Sequence, residues 1–476
     1  MKRAAAGLVT LAALSLGACA KPAATPGPAA RTESPRAVAP EVWSYEVAED
    51  GADLAVTATF PAGTSETLSI ERETVPYVAS VATAAGEVVA PSAGIWTIPS
   101  CARGCTLTYR FELDRAARSL GDVDSAARMR EGIESPPSSW LLRPMEHAPG
   151  TTYRFHVRAA PNAHFATGVR PVDGASDTYQ ADAGDLDTAP YSLFGTFRSR
   201  TVTPPGASIA LAIMGGKLAL DDAAIDRWID ASARAIEAYY GRFPVPRFLL
   251  ILVPRRGGRG ETVEGRTLAS GGSSILLGVS EGMTEDEIPR DWVLTHEMTH
   301  LALPSLPREN HWLEEGLATY VEPIARAKVG TIPADEVWRG LVDGLPNGEP
   351  AAGDEGLDRT HTWGRTYWGG ALFAFVADVQ IRKRTGGARS LEDALQKIVA
   401  TGGTGETRAP IVDVLRTGDE ALGAPVLEEL YAKWSREPVR VDLPQLWSEL
   451  GVRASASGIA YDEKAPLAAI RRGIAP

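Results

Sequence analysis

Up to about residue 200 the apolar residues of this chain alternate with polar ones; beyond Thr203-Pro204-Pro205-Gly206 they recur at helical spacing. Strand side chains take opposite faces with a period of two, and helical side chains return to one face about every 3.6 residues, so the two halves cannot share one architecture. Leu54, Val56, Ala58 and Phe60 interleave with Thr57 and Thr59. Leu107, Tyr109, Phe111 and Leu113 interleave with Thr108, Arg110 and Glu112, and Tyr153, Phe155 and Val157 with Arg154, His156 and Arg158. Several such half-buried strands between Gly/Pro-rich turns predict an antiparallel β-sandwich over 41–203. No cluster of acids, bases or nucleophiles stands out within it.

The second half reads as α+β. A helix is predicted from Asp221 and Asp222 to Gly241, with Ile225, Trp228, Ile229, Ile236 and Tyr239 on one face. The uninterrupted apolar run Phe248 to Val253, bounded by Pro246 and Pro254, predicts a strand buried on both faces, and Ile275 to Leu277 another. Helices are predicted over 285–303, 311–328, 334–343, 367–384, 390–400, 423–435 and 443–450. The boundaries are an α+β domain over 204–330 and a helical bundle over 331–476. Tryptophans 338, 363, 368, 434 and 447 are expected in its core.

The 476 residues carry 48 basic and 60 acidic side chains, a net charge of -12, with no basic cluster to neutralise a run of phosphates. Nucleic acid is therefore excluded as a partner. At the start, Lys2 and Arg3 precede an apolar run from Ala4 to Leu16, too short to span a bilayer, which reads as an export signal over 1–18. Leu16-Gly17-Ala18-Cys19 resembles a bacterial lipobox, and the resemblance implies cleavage before Cys19 and lipid on its sulfur. Residues 19–40, rich in Pro and Ala, read as a tether. The expected location is the bacterial cell envelope, at its periplasmic face or outer membrane. In that oxidising compartment Cys101 and Cys105 are expected to form a disulfide, two free thiols being the other reading.

His296-Glu297-Met298-Thr299-His300 is the strongest chemical signal in a chain with seven histidines. Residues four apart on a helix lie one above the other, so both imidazoles can bind one cation. Glu297, about 100° round the helix, falls beside that cation where it can take a proton from water. A third ligand is needed. Leu303 and Leu306 stand where a metzincin needs glycine and histidine, which excludes that pattern. His311 is a conceivable ligand, and Trp312-Leu313-Glu314-Glu315-Gly316 opens a second helix that offers a carboxylate.

At these residues the chain resembles the gluzincin metallopeptidases, whose second zinc helix reads Trp-Leu-x-Glu-Gly. The resemblance implies a thermolysin-like catalytic domain, one Zn²⁺ per chain, Glu315 as third ligand and Glu297 as general base. Glu322 lies two turns further on the same face and is a candidate to orient a ligand histidine. Tyr367-Trp368-Gly369-Gly370-Ala371-Leu372 is similar to the Tyr-x-Lys-Gly-Ala segment of gluzincin aminopeptidases, which makes Tyr367 the expected oxyanion donor. Residues from 381 to 395 are similar to the glycyl aminopeptidase family. Three departures stand out. Gly369 replaces the usual lysine, no PDZ domain is expected, and the Gly-rich segment that anchors a substrate amine is matched only by Thr262-Val263-Glu264-Gly265-Arg266. Glu264 is its candidate anchor. His361, six residues before Tyr367, reads as an exposed or structural histidine. The implied activity is aminopeptidase-like peptide hydrolysis. A lipid-anchored envelope binding or assembly protein that keeps this body without turnover is the other reading.

Overall fold

A computed structural model describes residues 41–257, 262–456 and 458–475. The expected signal, the Cys19 lipidation site and the tether lie outside the described residues. Six strands form the first sheet: β1 (Val42–Asp50), β2 (Asp53–Ala62), β3 (Val78–Thr83), β4 (Arg103–Phe111), β5 (Thr152–Arg158) and β6 (Thr178–Asp182). Alternation decides their faces, so that Trp43, Tyr45 and Val47 are buried while Val42, Ser44 and Glu46 are exposed. The spatial order is β6-β5-β1-β2-β4-β3. A three-stranded sheet (Thr67–Ser69, Trp96–Thr97, Arg143–Pro144) accompanies it, with Leu68 and Trp96 in the same apolar core. The expectation of an antiparallel sheet needs one correction. β1 pairs in parallel with β5, because the chain rejoins β1 from its far side after a long excursion through residues 112–151. Cys101 and Cys105 are joined in a disulfide at the start of β4.

The second sheet holds β7 (Arg198–Val202), β8 (Ser208–Ile213), β9 (Arg247–Arg255), β10 (Thr262–Ala269) and β11 (Ser273–Ser280) in the order β7-β8-β9-β11-β10. β8, β9 and β11 run parallel, and antiparallel β7 and β10 close the edges. β7 lies before the boundary expected at residue 203, yet it pairs with β8 and so belongs to this sheet. The apolar run of β9 is central and doubly covered. Phe248, Leu250 and Leu252 face the helices, while Leu249, Ile251 and Val253 meet Tyr191 and Leu193 beneath a four-stranded sheet.

Helix α1 (Asp222–Tyr240) links β8 to β9. Asp221 caps it through the Ala224 N–H at 2.7 Å, and Gly241 ends it in the left-handed region at φ 74°. The expected helix over 285–303 is divided. A short 3₁₀ turn, Glu285–Arg290, contains Pro289, and α2 (Val293–His300) starts only beyond it. α3 (His311–Lys328), α4 (Ala334–Gly344) and α5 (Gly370–Arg384) follow. α5 is preceded by a π-helical turn, Gly364–Gly369, where the sequence suggests plain helix from residue 367. Tyr320 of α3 donates to Asp378 Oδ2 at 3.0 Å, and Arg382 Nε donates to Asp378 Oδ1 at 2.9 Å, which ties α3 to α5. α3 and α5 also approach closely at Gly316 and Gly370: a Cβ on Gly370 would lie 2.0 Å from the Trp312 carbonyl oxygen. The helix Ile411–Leu422 and the hairpin Val452–Ser455/Gly458–Tyr461 have no counterpart in the sequence reading. Among the described residues no helix is long and apolar enough to cross a membrane.

Candidate metal centre and cleft

α2 is short and buried from Val293 to Thr299, so His296 and His300 are fixed by packing on Leu294 and Met298 rather than by helix length. Asp291 sets its start. The Asp291 carboxylate accepts from Leu294 N at 3.3 Å and from Trp228 Nε1 at 3.1 Å, which pins α2 to α1. α3 then brings Glu315 against the two imidazoles. Glu315 Oε2 lies 3.3 Å from His296 Nε2 and 3.7 Å from His300 Nε2.

Four ligands at about 2.05 Å in a tetrahedron stand about 3.3 Å apart. The two measured separations fit that spacing, and the three ligand atoms all lie within 4.8 Å of one another. Two imidazoles and a carboxylate form a donor set suited to zinc with one position left open. Among the described residues this is the one His/Cys/Asp/Glu group with metal-holding geometry.

His311 takes a different place from the ligand position considered for it. Its Nδ1 meets Glu314 Oε2 at 2.8 Å and its Nε2 meets Glu315 Oε1 at 3.3 Å, so it grips the oxygen of Glu315 that faces away from the histidine pair. Burial alone would raise the Glu315 carboxyl, but hydrogen bonds from His296 and His311 and the charge of His300 hold it well below the usual carboxylate range. The same contacts push His311 up to about 10, Glu314 contributing most. Glu314, on the variable motif position, binds the Leu306 amide at 3.0 Å and so fixes the α2–α3 connection.

Glu297 is buried beside the edge strand β10. Thr267 Oγ1 donates to Glu297 Oε2 at 2.6 Å. Burial raises the Glu297 carboxyl, against the lowering effects of His300 and the Thr267 hydroxyl. β10 passes this close because residue 265 has no side chain: a Cβ on Gly265 would come 2.5 Å from Glu297 Oε1 and 2.7 Å from Val293 Cγ1. Tyr367 lines the same cleft, of about 590 Å³, with Glu315 and Glu297. Burial and the charges of Glu315 and Glu297 push its phenol up to about 12, so the hydroxyl keeps its proton at neutral pH and can donate a hydrogen bond.

Glu264 is not brought to the cleft. Neighbouring residues of a strand face opposite ways, so with Gly265 against Glu297 the side chain of Glu264 turns outward to an ion pair with Arg255. Glu322 is also placed elsewhere. It is buried with Arg326, whose Nη1 lies 2.6 Å from Glu322 Oε1, and burial pushes its carboxyl up to about 7 despite the guanidinium. His361 is exposed and does not line the cleft. Trp363, expected in the core, is 65% exposed and stacks on Tyr367 with ring centroids 6.0 Å apart.

The sequence reading missed the contributions of the N-terminal half. Asp124, Thr188 and Tyr191 line the cleft, and Arg266 of β10 pairs with Asp124 at 2.9 Å. Glu134 lies behind this wall, fully buried, with neither oxygen in hydrogen-bonding geometry with a described residue. Burial and the charge of Asp124 push its carboxyl well up. No short motif surrounds these residues. Of the missed groups, only the alternation Gly265-Arg266-Thr267 was open to detection as a strand.

No family model matches the sequence, and no curated protein matches it. Solved structures do. An aminopeptidase N family protein from Idiomarina loihiensis superposes with a TM-score of 0.65 at 17% identity, over 86% of this chain and 78% of that one. A mutant of the M1 zinc metallopeptidase from Deinococcus radiodurans gives 0.50 at 16%, over 85% and 95%. A two-domain M1 zinc metallopeptidase mutant bound to L-arginine gives 0.52 at 15%, over 85% and 95%. The chain therefore shares the fold of M1 aminopeptidase-like zinc metallopeptidases.

Proposed function

We propose that this protein is a zinc-dependent peptidase of the gluzincin, aminopeptidase-like type, anchored to the bacterial envelope through lipid on Cys19. One observation carries the reading. Two imidazoles, one carboxylate, a buried second carboxylate and a tyrosine hydroxyl, contributed by α2, α3 and the π-turn, converge on one cleft. His296, His300 and Glu315 would hold one zinc ion. Bound there, zinc would supply the Lewis acidity that activates water near neutral pH and polarises a scissile carbonyl.

The protein's own groups do the rest. Glu297, with its carboxyl raised by burial and aimed by Thr267, takes the proton of the attacking water and passes it to the leaving amine. The Tyr367 hydroxyl donates to the oxyanion that develops on the carbonyl oxygen, where one such donor is typically worth about 10²–10³ in kcat. His311 holds Glu315 through its outer oxygen. The edge strand β10, with its outer side unpaired among the described residues, offers an extended peptide a line of hydrogen bonds past Glu297.

The test uses protein from residue 41 onward, supplied with zinc and offered peptides with free and with acetylated amino termini. Cleavage with about one zinc per chain supports the reading. Cleavage of free termini alone marks an exopeptidase, and cleavage of both an endopeptidase. Stoichiometric zinc without cleavage of any peptide, together with capture of an envelope protein, favours the binding-protein reading. For the anchor, Cys19→Ser in cells should move the protein from the membrane to the soluble fraction, and unchanged fractionation would refute lipidation at that residue.

A further inference from the structure

Tyr367 sits in the π-turn Gly364–Gly369, a wider and less favourable turn than an α-helical one that needs outside support to persist. Two residues earlier, Arg365 points inward and is 3% exposed. Its Nε lies 2.8 Å from Asp354 Oδ2, with the two side chains 4% and 1% exposed, and its Nη1 donates to the Gly348 carbonyl. Asp354 Oδ1 in turn accepts from Gly356 N at 2.9 Å. The pair stands close to Gly369, where the sequence departs from the Tyr-x-Lys-Gly-Ala segment it resembles. A Cβ on Gly369, in place of the usual lysine, would come 3.0 Å from Leu357 Cδ2 and 3.2 Å from Arg365 Nη1, so glycine leaves the room that the guanidinium needs.

The loop that carries Asp354 also reaches the zinc helix. Asp358 accepts from Trp312 Nε1 at 2.8 Å and from Asn310 Nδ2 at 3.0 Å, at the start of the helix that presents Glu315. The tyrosine turn and the ligand helix thus hang on one segment, residues 354–358. A buried ion pair is a weak stabiliser, because desolvation offsets most of its attraction, so stability alone gives little reason for charges here.

We infer that the buried Arg365–Asp354 pair is a positioning device that sets Tyr367 relative to Glu315. The inference rests on the peptidase reading, in which the Tyr367 hydroxyl meets the oxyanion. Neither member of the pair lines the cleft. They act through the tyrosine.

The experiment is a double-mutant cycle on the zinc-loaded protein, with an amino-acid anilide that the wild type cleaves as substrate. The uncharged variant Arg365→Gln/Asp354→Asn and the charge-conserving Arg365→Lys are each made with and without Tyr367→Phe. Zinc content and the melting curve are recorded for all. The uncharged variant should lose about tenfold to a hundredfold in kcat with KM and zinc little changed, the scale of a small misplacement of a catalytic group. Arg365→Lys should recover part of the loss. In the Tyr367→Phe background the same substitutions should cost nothing further. Equal losses in both backgrounds, or a folded uncharged variant with wild-type kcat, would overturn the inference. If the double variant does not fold, Asp354→Asn and Gly369→Ala, which presses on Arg365 without removing it, carry the same comparison. A wild type that binds zinc and cleaves nothing overturns the peptidase reading and this inference with it; an active wild type with additive losses overturns this inference alone.

Discussion

The hydroxyl of Thr267 lies 2.6 Å from Oε2 of Glu297 and also meets the Glu297 backbone carbonyl, at 3.1 Å. A strand edge therefore holds the carboxylate at the cleft wall, and a single methyl-bearing alcohol leaves its other oxygen, Oε1, free of that contact.

Glu297→Gln should keep zinc and fold and lose about 10²–10⁴ in kcat, the range for a positioned acid–base group. Steady-state rates beside elemental analysis check this. If the zinc-replete Glu297→Gln protein stayed active, the assigned base would be contradicted.

Replacing the phenol tests the oxyanion donor. Tyr367→Phe should lower kcat by about 10²–10³ with little change in KM, because the lost bond belongs to the transition state. A loss confined to KM would point to ground-state binding instead.

Gly265→Val addresses the close passage of β10. The new side chain has no room beside Glu297 and Val293, so it should push the base out of line and destabilise the fold by about 1–3 kcal/mol, typical of overpacking. Activity should fall further than that loss of stability explains at a temperature where the variant is folded. Wild-type turnover in this variant would show that β10 does not position Glu297.

His311→Gln removes the grip on the outer oxygen of Glu315. Zinc affinity should weaken about 10- to 100-fold, as for other groups that orient a ligand, which competition with a chelator measures. The metal-free protein adds a pH signature. His311 is raised from 6.5 to about 10, so the stability it contributes is fully present below about pH 6.5 and is lost as pH rises through 10. The difference in melting temperature between wild type and variant should therefore shrink from neutral pH toward pH 10. A difference that grew with pH would refute the assigned contacts.

Reduction of Cys101–Cys105 should cost only about 2 kcal/mol, because the loop it closes is a few residues long and the entropy removed from the unfolded chain is correspondingly small. Cys101→Ala/Cys105→Ala in denaturant unfolding measures the loss. Failure to fold would assign the bond a larger role.

What the sequence by itself determined was local: the period of most elements, though Leu113, read at the end of a strand, starts the helix Leu113–Leu120; the helix start at Asp221 and Asp222; the buried run of β9; and the four-residue spacing that stacks His296 on His300. These follow from helix and strand geometry within a few residues. Glu315 was named through its motif, but the 3.3 Å approach to His296 depends on how α3 crosses α2. Tertiary structure alone decided which way β10 faces, and with it that Gly265 and Thr267 meet Glu297 while Glu264 turns to Arg255. Registers and crossings between distant segments also bring Asp124 and Tyr191 into the cleft, while loop and helix packing puts Arg365 on Asp354 and His311 on Glu314 and Glu315. Some of these contacts join neighbours a turn or a loop apart, as Arg365 to Asp354, and others residues far apart, as Arg266 to Asp124, and no periodicity in the chain encodes which of them will meet.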